Sequence, residues 1–160
     1  MILETVCVGA YYNLANCYIL AQDKSNQAII IDPGDEPEKI KMALSRRKLN
    51  PAFIINTHGH IDHIGADSYF SVPIYIHKGD REFLSNPDLN LSGLLGTPLS
   101  IESPLVRMLE DGQELDLAGI KLRVLHTPGH TPGGICLLLE QPGENLLFSG
   151  DTLFCQGVGR

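Results

Sequence analysis

Thr57-His58-Gly59-His60-Ile61-Asp62-His63 follows directly on the apolar run Phe53-Ile54-Ile55. It places three of the chain's six histidines and a carboxylate where a buried strand ends and a loop begins. In extended backbone, side chains two apart point the same way, so His58 and His60, separated by Gly59, can reach one cation. Asp62 and His63 come after the chain turns and aim at a second position a few ångströms off. A His/Asp cluster of this density marks a metal or catalytic site, and its two directions suggest two metals.

Upstream, Ala28-Ile29-Ile30-Ile31 reads as a strand ending in the turn Asp32-Pro33-Gly34-Asp35. A helix is predicted over Pro37 to Lys48, with proline in its first turn, Ile40, Met42 and Ala43 on its apolar face, and Asn50-Pro51 stopping it. Strand, helix and strand make a βαβ unit with a parallel pair, and the ligand loop leaves the C-terminal end of the second strand, where open α/β sheets commonly bind ligands. Two earlier strands, Leu3–Val8 and Cys17–Ala21, flank Ala10-Tyr11-Tyr12-Asn13, and the second forms a hairpin with Ala28–Ile31 across Asp23-Lys24-Ser25-Asn26.

Downstream, the pattern predicts a short helix from Ile64 to Phe70 and a strand at Ile74–Ile76. His77, alone and outside any motif, reads as an exposed residue. The Gly-, Pro- and Asn-rich stretch Asn86 to Pro98 is too long for a plain connection. Its Leu91, Leu94 and Leu95 form either a substrate-facing lid or a surface excursion over the sheet edge. Arg107–Leu109, Gln113–Leu115 and Lys121–Leu125 read as an antiparallel meander that delivers His126 to His130. Ile135–Glu140 and Asn145–Phe148 form a last hairpin that delivers Asp151.

Two further segments, His126-Thr127-Pro128-Gly129-His130-Thr131-Pro132-Gly133 and Ser149-Gly150-Asp151-Thr152-Leu153-Phe154, complete a pattern. With Thr57–His63 they resemble, in order and spacing, the motifs of the metallo-β-lactamase fold hydrolases, and are most similar to the glyoxalase II-like branch, the hydroxyacylglutathione hydrolases. The resemblance covers nearly the whole chain. It implies an α/β fold, an αββα sandwich of mixed sheets with helices on the outer faces, as one domain over residues 1–160. It also implies that His58, His60 and His130 hold one metal, that Asp62 and His63 hold the other, and that Asp151 bridges them. The expected cofactors are two divalent ions, zinc in the first place, with iron or manganese also accepted by histidine and aspartate.

The activity so implied is hydrolysis of a thioester such as an S-(2-hydroxyacyl)glutathione by metal-bound hydroxide, with Asp62 as the catalytic residue that orients the nucleophile. A thiol of pKa about 8.5 leaves as thiolate without a protein acid, whereas an amide would need its nitrogen protonated. Asp32 lies in a turn that is near the metals in the family, so it either supports the site or only caps the turn. His126 receives no metal and reads as a packing or supporting residue, and Cys155 as inert packing.

At 160 residues and 17.5 kDa, with 43% hydrophobic residues, the chain can bury one sizeable core. A net charge of −7 with 12 basic residues argues against a nucleic-acid partner. Neither a signal-like start nor an apolar run of roughly 20 residues occurs, so the reading is cytoplasmic with no membrane partner. Cys7, Cys17, Cys136 and Cys155 form no CxxC pair and read as reduced structural thiols.

One departure stands out. Relatives of this type continue past the segment that ends here at Arg160 and add a histidine in a Gly-His-Gly context, but no histidine follows His130. The expectation is a chain cut short, with C-terminal elements missing, the second metal site one donor short, and uncovered surface that lowers stability or drives self-association. Two rival readings follow: a mononuclear iron persulfide dioxygenase-like enzyme, and a non-catalytic metal-binding fragment.

Overall fold

The computed structural model describes residues 1–9 and 14–160, so the expected segment Ala10–Asn13 lies outside the described residues. Six strands build the first sheet in chain order: β1 (Ile2–Val8), β2 (Ala15–Ala21), β3 (Gln27–Ile31), β4 (Asn50–Ile55), β5 (Ile74–His77) and β6 (Val106–Leu109). β1, β2 and β3 are antiparallel neighbours, and β3 to β6 run parallel. The second sheet is an antiparallel meander of β7 (Glu114–Leu117), β8 (Ile120–His126), β9 (Ile135–Gln141) and β10 (Glu144–Phe148). A two-residue pair, β11 (Leu153–Phe154) and β12 (Gly157–Val158), follows.

Alternation along the strands sorts side chains into two cores. Cys17, Ile19 and Ala21 of β2, Ala28 and Ile30 of β3 and Ile54 of β4 pack under helix α1 (Pro37–Arg46), which contributes Ile40, Ala43 and Leu44. Their in-between neighbours Leu20, Ile29, Ile31 and Ile55 face Leu122, Val124, Leu137 and Phe148 of the second sheet. Every one of these isoleucines is essentially fully buried, and each such side chain contributes about 1.5–3 kcal/mol relative to exposure. The layers are therefore helix, mixed sheet and antiparallel sheet, three of the four layers of the αββα sandwich that the resemblance implies. Among the described residues no helix covers the outer face of the second sheet, which presents Glu114, Asp116, Lys121 and Glu140 to solvent.

The βαβ unit and the β2–β3 hairpin match the sequence reading. Several details differ. The predicted helix ends at Arg46, with Arg47 as its C-cap, and Met42 points to solvent while Leu44 takes the buried position. Asn50 and Pro51 open β4 rather than merely stopping the helix; β4 pairs with β5 only at Ile54 and Ile55, so the proline, which has no N–H to give, sits where only β3 flanks the strand. The helix expected from Ile64 starts at Ile61 instead: α2 (Ile61–Ile64) takes in Asp62 and His63, and a separate 3-10 turn follows at Asp67–Tyr69. Arg107–Leu109 does not join the meander. It pairs in parallel with β5, Ile74 opposite Val106 and His77 opposite Leu109, and the chain crosses to the second sheet through Glu110-Asp111-Gly112.

The strand ends converge. β3, β4, β5, β8 and β10 all present their C-terminal ends on one rim, which carries Asp32, His58 to His63, Asp80, His130 and Asp151. The Asp32-Pro33-Gly34 turn is pressed against the ligand loop: a Cβ on Gly34 would stand 1.5 Å from the Asp62 carbonyl oxygen. Among the described residues no helix is long and apolar enough to cross a membrane.

Candidate metal centre

His58, at the end of β4, is 2% exposed. Its Nδ1 lies 3.3 Å from Thr57 Oγ1, and its buried Nε2 meets no hydrogen-bond partner among the described residues. Burial, helped by the neighbouring His63, His60 and His130, holds this imidazole well below the usual histidine range. The ring is therefore neutral, the form that gives a lone pair to a cation.

His60 and His130 complete a triangle with it. The ring centroids are 4.9 Å apart for His58–His60, 4.8 Å for His58–His130 and 4.7 Å for His60–His130. His60 Nδ1 stands 2.9 Å from His130 Nε2. Burial first and His130 second lower the basicity of His60 too. One ligand atom from each of the three lies within 4.8 Å of the others. A second set, His58, His63 and Asp151, meets the same limit.

His63 is buried on α2, its ring 4.1 Å from that of His58. Its Nδ1 is 2.9 Å from Asp32 Oδ2, and its Nε2 is 3.3 Å from Asp151 Oδ1. Burial alone would lower its basicity, but the Asp32 charge and the hydrogen bonds to Asp151 and Asp32 override that and raise the pKa to about 10. Asp151 has its other oxygen 3.5 Å from His130 Nε2, so it stands between the two donor sets. Burial works against its ionisation, yet the hydrogen bond and charge of His63 keep it below the usual carboxylate range. Asp62 is part-exposed and stands outside both triads, its Oδ2 4.0 Å from His63 Nε2.

Asp32 has backbone φ of 53°, a left-handed conformation that aspartate tolerates. It accepts from Thr57 N–H and Thr57 Oγ1–H, both at 2.7 Å, and pairs with His63 Nδ1. It thus supports the site, and holds the His63 ring with Nε2 turned toward Asp151.

Other residues differ from their sequence readings. His77 is buried rather than exposed; its ring stacks on His126 at 4.0 Å and 19°, joining the ends of β5 and β8. His126 Nε2 donates to the Pro132 carbonyl at 2.9 Å, a packing role. Cys155 is exposed rather than packed. Two buried polar residues behind the site went unnoticed in the sequence. Asn56 Nδ2 donates to Asp67 Oδ2 at 2.6 Å, and Asp67 is fully buried.

Burial, against the opposing Asn56 hydrogen bond, raises the Asp67 pKa well above 3.8. A carboxyl raised in this way gives stability that is fully present below its unfolded pKa and is lost as pH rises through its folded pKa. Asp67→Asn carries no such penalty. Its melting temperature is expected to gain on wild type as pH rises above 3.8, and a difference that stays constant as pH rises would show that Asp67 is not the titrating group.

Known proteins share this sequence pattern and this fold. The sequence profile of the Metallo-beta-lactamase superfamily matches residues 11–160. The chain is 36% identical over 150 residues to the "Probable metallo-hydrolase YqgX" of Bacillus subtilis, covering 91% of this chain and 69% of that protein. It is 33% identical over 165 residues to "Hydroxyacylglutathione hydrolase GloC" of Haemophilus influenzae, covering 100% and 76%. The crystal structure of the BLEG-1 B3 metallo-beta-lactamase superposes with a TM-score of 0.88 at 36% identity, covering 99% of this chain and 76% of that one. The chain belongs to the metallo-beta-lactamase superfamily. Within it, the chain is a metallo-hydrolase with a histidine-rich candidate metal site.

Proposed function

We propose that the chain hydrolyses a thioester of a small thiol, of the S-(2-hydroxyacyl)glutathione class. In this reading His58, His60 and His130 hold one divalent cation, zinc in the first place, and His63, Asp151 and Asp62 hold a second. The observation that carries it is the buried Nε2 of His58, without a hydrogen-bond partner among the described residues, at the junction of two donor sets. A buried polar nitrogen without a partner is unfavourable by about 1–3 kcal/mol, and a bound cation removes that penalty.

Cations held there supply Lewis acidity toward a carbonyl oxygen and make water nucleophilic near neutral pH. Three imidazole donors with no carboxylate among them would leave the first position strongly electrophilic. Asp62, part-exposed beside His63, orients the attacking water and takes its proton. Asp32 holds the His63 ring so that Asp151 and His63 stay in register. A cleft of about 300 Å³ reaches this point between Leu14, Tyr18, Asp151 and Phe154. The thiol leaves as thiolate without a protein acid, which favours a thioester over an amide. Similarity to the Haemophilus hydroxyacylglutathione hydrolase along the entire chain supports the same substrate class.

The test is release of free thiol from a 2-hydroxyacyl thioester of glutathione by zinc-loaded protein, run beside a β-lactam and beside oxygen uptake on glutathione persulfide with iron-loaded protein. Thiol release well above that of the metal-free protein is expected. Oxygen uptake without thioester cleavage would assign a dioxygenase instead, and inactivity on every substrate would leave a metal-binding fragment.

The loop from Asn86 to Pro98 is tied to the ligand loop, since Ile61 N–H donates to the Asn90 carbonyl at 2.9 Å. Its Leu94 is 81% and Leu95 56% exposed, as a lid over a substrate requires. Replacing Leu91, Leu94 and Leu95 with serine is expected to raise KM about fivefold with kcat unchanged, the loss of about 1 kcal/mol of apolar contact. An unaltered KM would make the loop a surface excursion.

A further inference from the structure

The loops that carry His58 and His60, on one side, and His130, on the other, leave different sheets. A backbone hydrogen bond joins their bases, from Ile135 N–H, just past the His130 loop, to the Thr57 carbonyl, just before His58, at 2.8 Å. A third strand end closes the gap. β5 runs into a 3-10 turn over Lys78–Leu84, where Asp80 is fully buried. Asp80 Oδ2 accepts from Gly59 N–H at 3.0 Å and from Thr131 Oγ1–H at 2.7 Å, and Oδ1 accepts from Gly133 N–H at 2.6 Å. Gly59 stands between His58 and His60, and Thr131 is next to His130.

Glycine occupies each close contact of this crossing. A Cβ on Gly59 would lie 2.3 Å from Phe83 Cβ, one on Gly133 2.7 Å from Asp80 Oδ1, and one on Gly79 2.9 Å from Gly133 Cα. The turn is thus pressed against both ligand loops, and a single carboxyl group collects donors from each.

We propose that Asp80 is a positioning residue that sets the spacing of His58 and His60 against His130 by gripping both loops at once. Only with that spacing fixed do the His60 and His130 nitrogens stay 2.9 Å apart, ready for one ion. Asp32 makes the corresponding grip on the other donor set, through Thr57 and His63. Among the described residues Asp80 accepts from Gly59, Thr131 and Gly133 and makes no hydrogen bond to His63 or Asp151, so its effect falls on the His58–His60–His130 set.

The inference rests on that triad being a metal site, and the experiment separates the two. Zinc affinity is measured by competition with a chromophoric chelator, and the visible spectrum of the cobalt-substituted protein is recorded, for wild type, Asp80→Asn, Thr131→Val and Thr131→Ser, each at a temperature where it is folded. Asp80→Asn turns an amide N–H₂ toward one of the donors, and it is expected to weaken zinc binding by roughly ten- to a hundredfold and to alter the cobalt bands. Thr131→Val is expected to weaken zinc binding in the same direction, while Thr131→Ser, which keeps the hydroxyl, retains it. A clamp that only stabilised the fold would lower melting temperatures yet leave affinity and cobalt spectrum as in wild type, and that result overturns the proposal. Should Asp80→Asn fail to fold, the valine and serine pair decides by the same criterion. A wild-type protein that binds no zinc would overturn the metal reading and this inference with it.

Discussion

His58→Ala is expected to reduce bound metal below one ion per chain and to lower kcat/KM for thioester cleavage by roughly four orders of magnitude. Four orders correspond to about 5.5 kcal/mol, the several kcal/mol of charge stabilisation that a polarising cation supplies. The effect exceeds that expected at His130 or His63 because His58 lies within reach of both donor sets. Stability should move the other way. In metal-free protein the buried Nε2 has no partner among the described residues, so His58→Leu removes an orphaned polar atom and is expected to melt at or above the wild-type temperature in chelator. Elemental analysis and paired melting curves with and without zinc check both halves. Full metal content in His58→Ala would remove this residue from the centre.

Asp32→Ala is expected to destabilise the protein by about 4 kcal/mol and to remove activity together with the second ion. Alanine leaves Thr57 N–H, Thr57 Oγ1–H and His63 Nδ1–H buried without their acceptor, each worth about 1–3 kcal/mol. It must also hold φ near 53°, which suits asparagine or aspartate better. A loss of that size is a large share of a typical total of 5–15 kcal/mol. Asp32→Asn keeps one acceptor and the backbone preference and is expected to lose about half as much. The pH dependence adds a check. In metal-free protein the His63 pKa is raised from 6.5 to about 10, so its pairing stabilises fully below the unfolded value and is lost as pH rises through about 10. Asp32→Asn should therefore flatten stability between pH 6.5 and 10. Retained slope in the variant would mean that Asp32 is not the partner that matters.

Both residues differ in how far the sequence announced them. His58 sits in a dense motif at the end of an apolar run, and the unbroken apolar character of β3 and of the end of β4 already marks them as buried strands. The ligand segments could be found because they are short, contiguous and attached to strand ends. Asp32 was visible but ambiguous, since Asp-Pro-Gly is an ordinary turn; only the distances to Thr57 and His63 decide its role. Asp80 gave no signal at all. Lys-Gly-Asp after a strand reads as a turn, and its hydrogen-bond donors lie 21, 51 and 53 residues away. The same blindness to long-range pairing misassigned Arg107–Leu109, because an apolar alternation does not say which sheet will accept it. His77 seemed isolated in the chain for the same reason: its partner, His126, comes from the other sheet.

Zinc-edge anomalous diffraction from crystals of the zinc-loaded protein tests the metal assignment most directly. The expected map has a peak about 2.0–2.1 Å from a ring nitrogen of each of His58, His60 and His130, and a second peak bounded by His63 and Asp151. Zinc found only on surface carboxylates or thiols, with the histidine triangle empty, would contradict it.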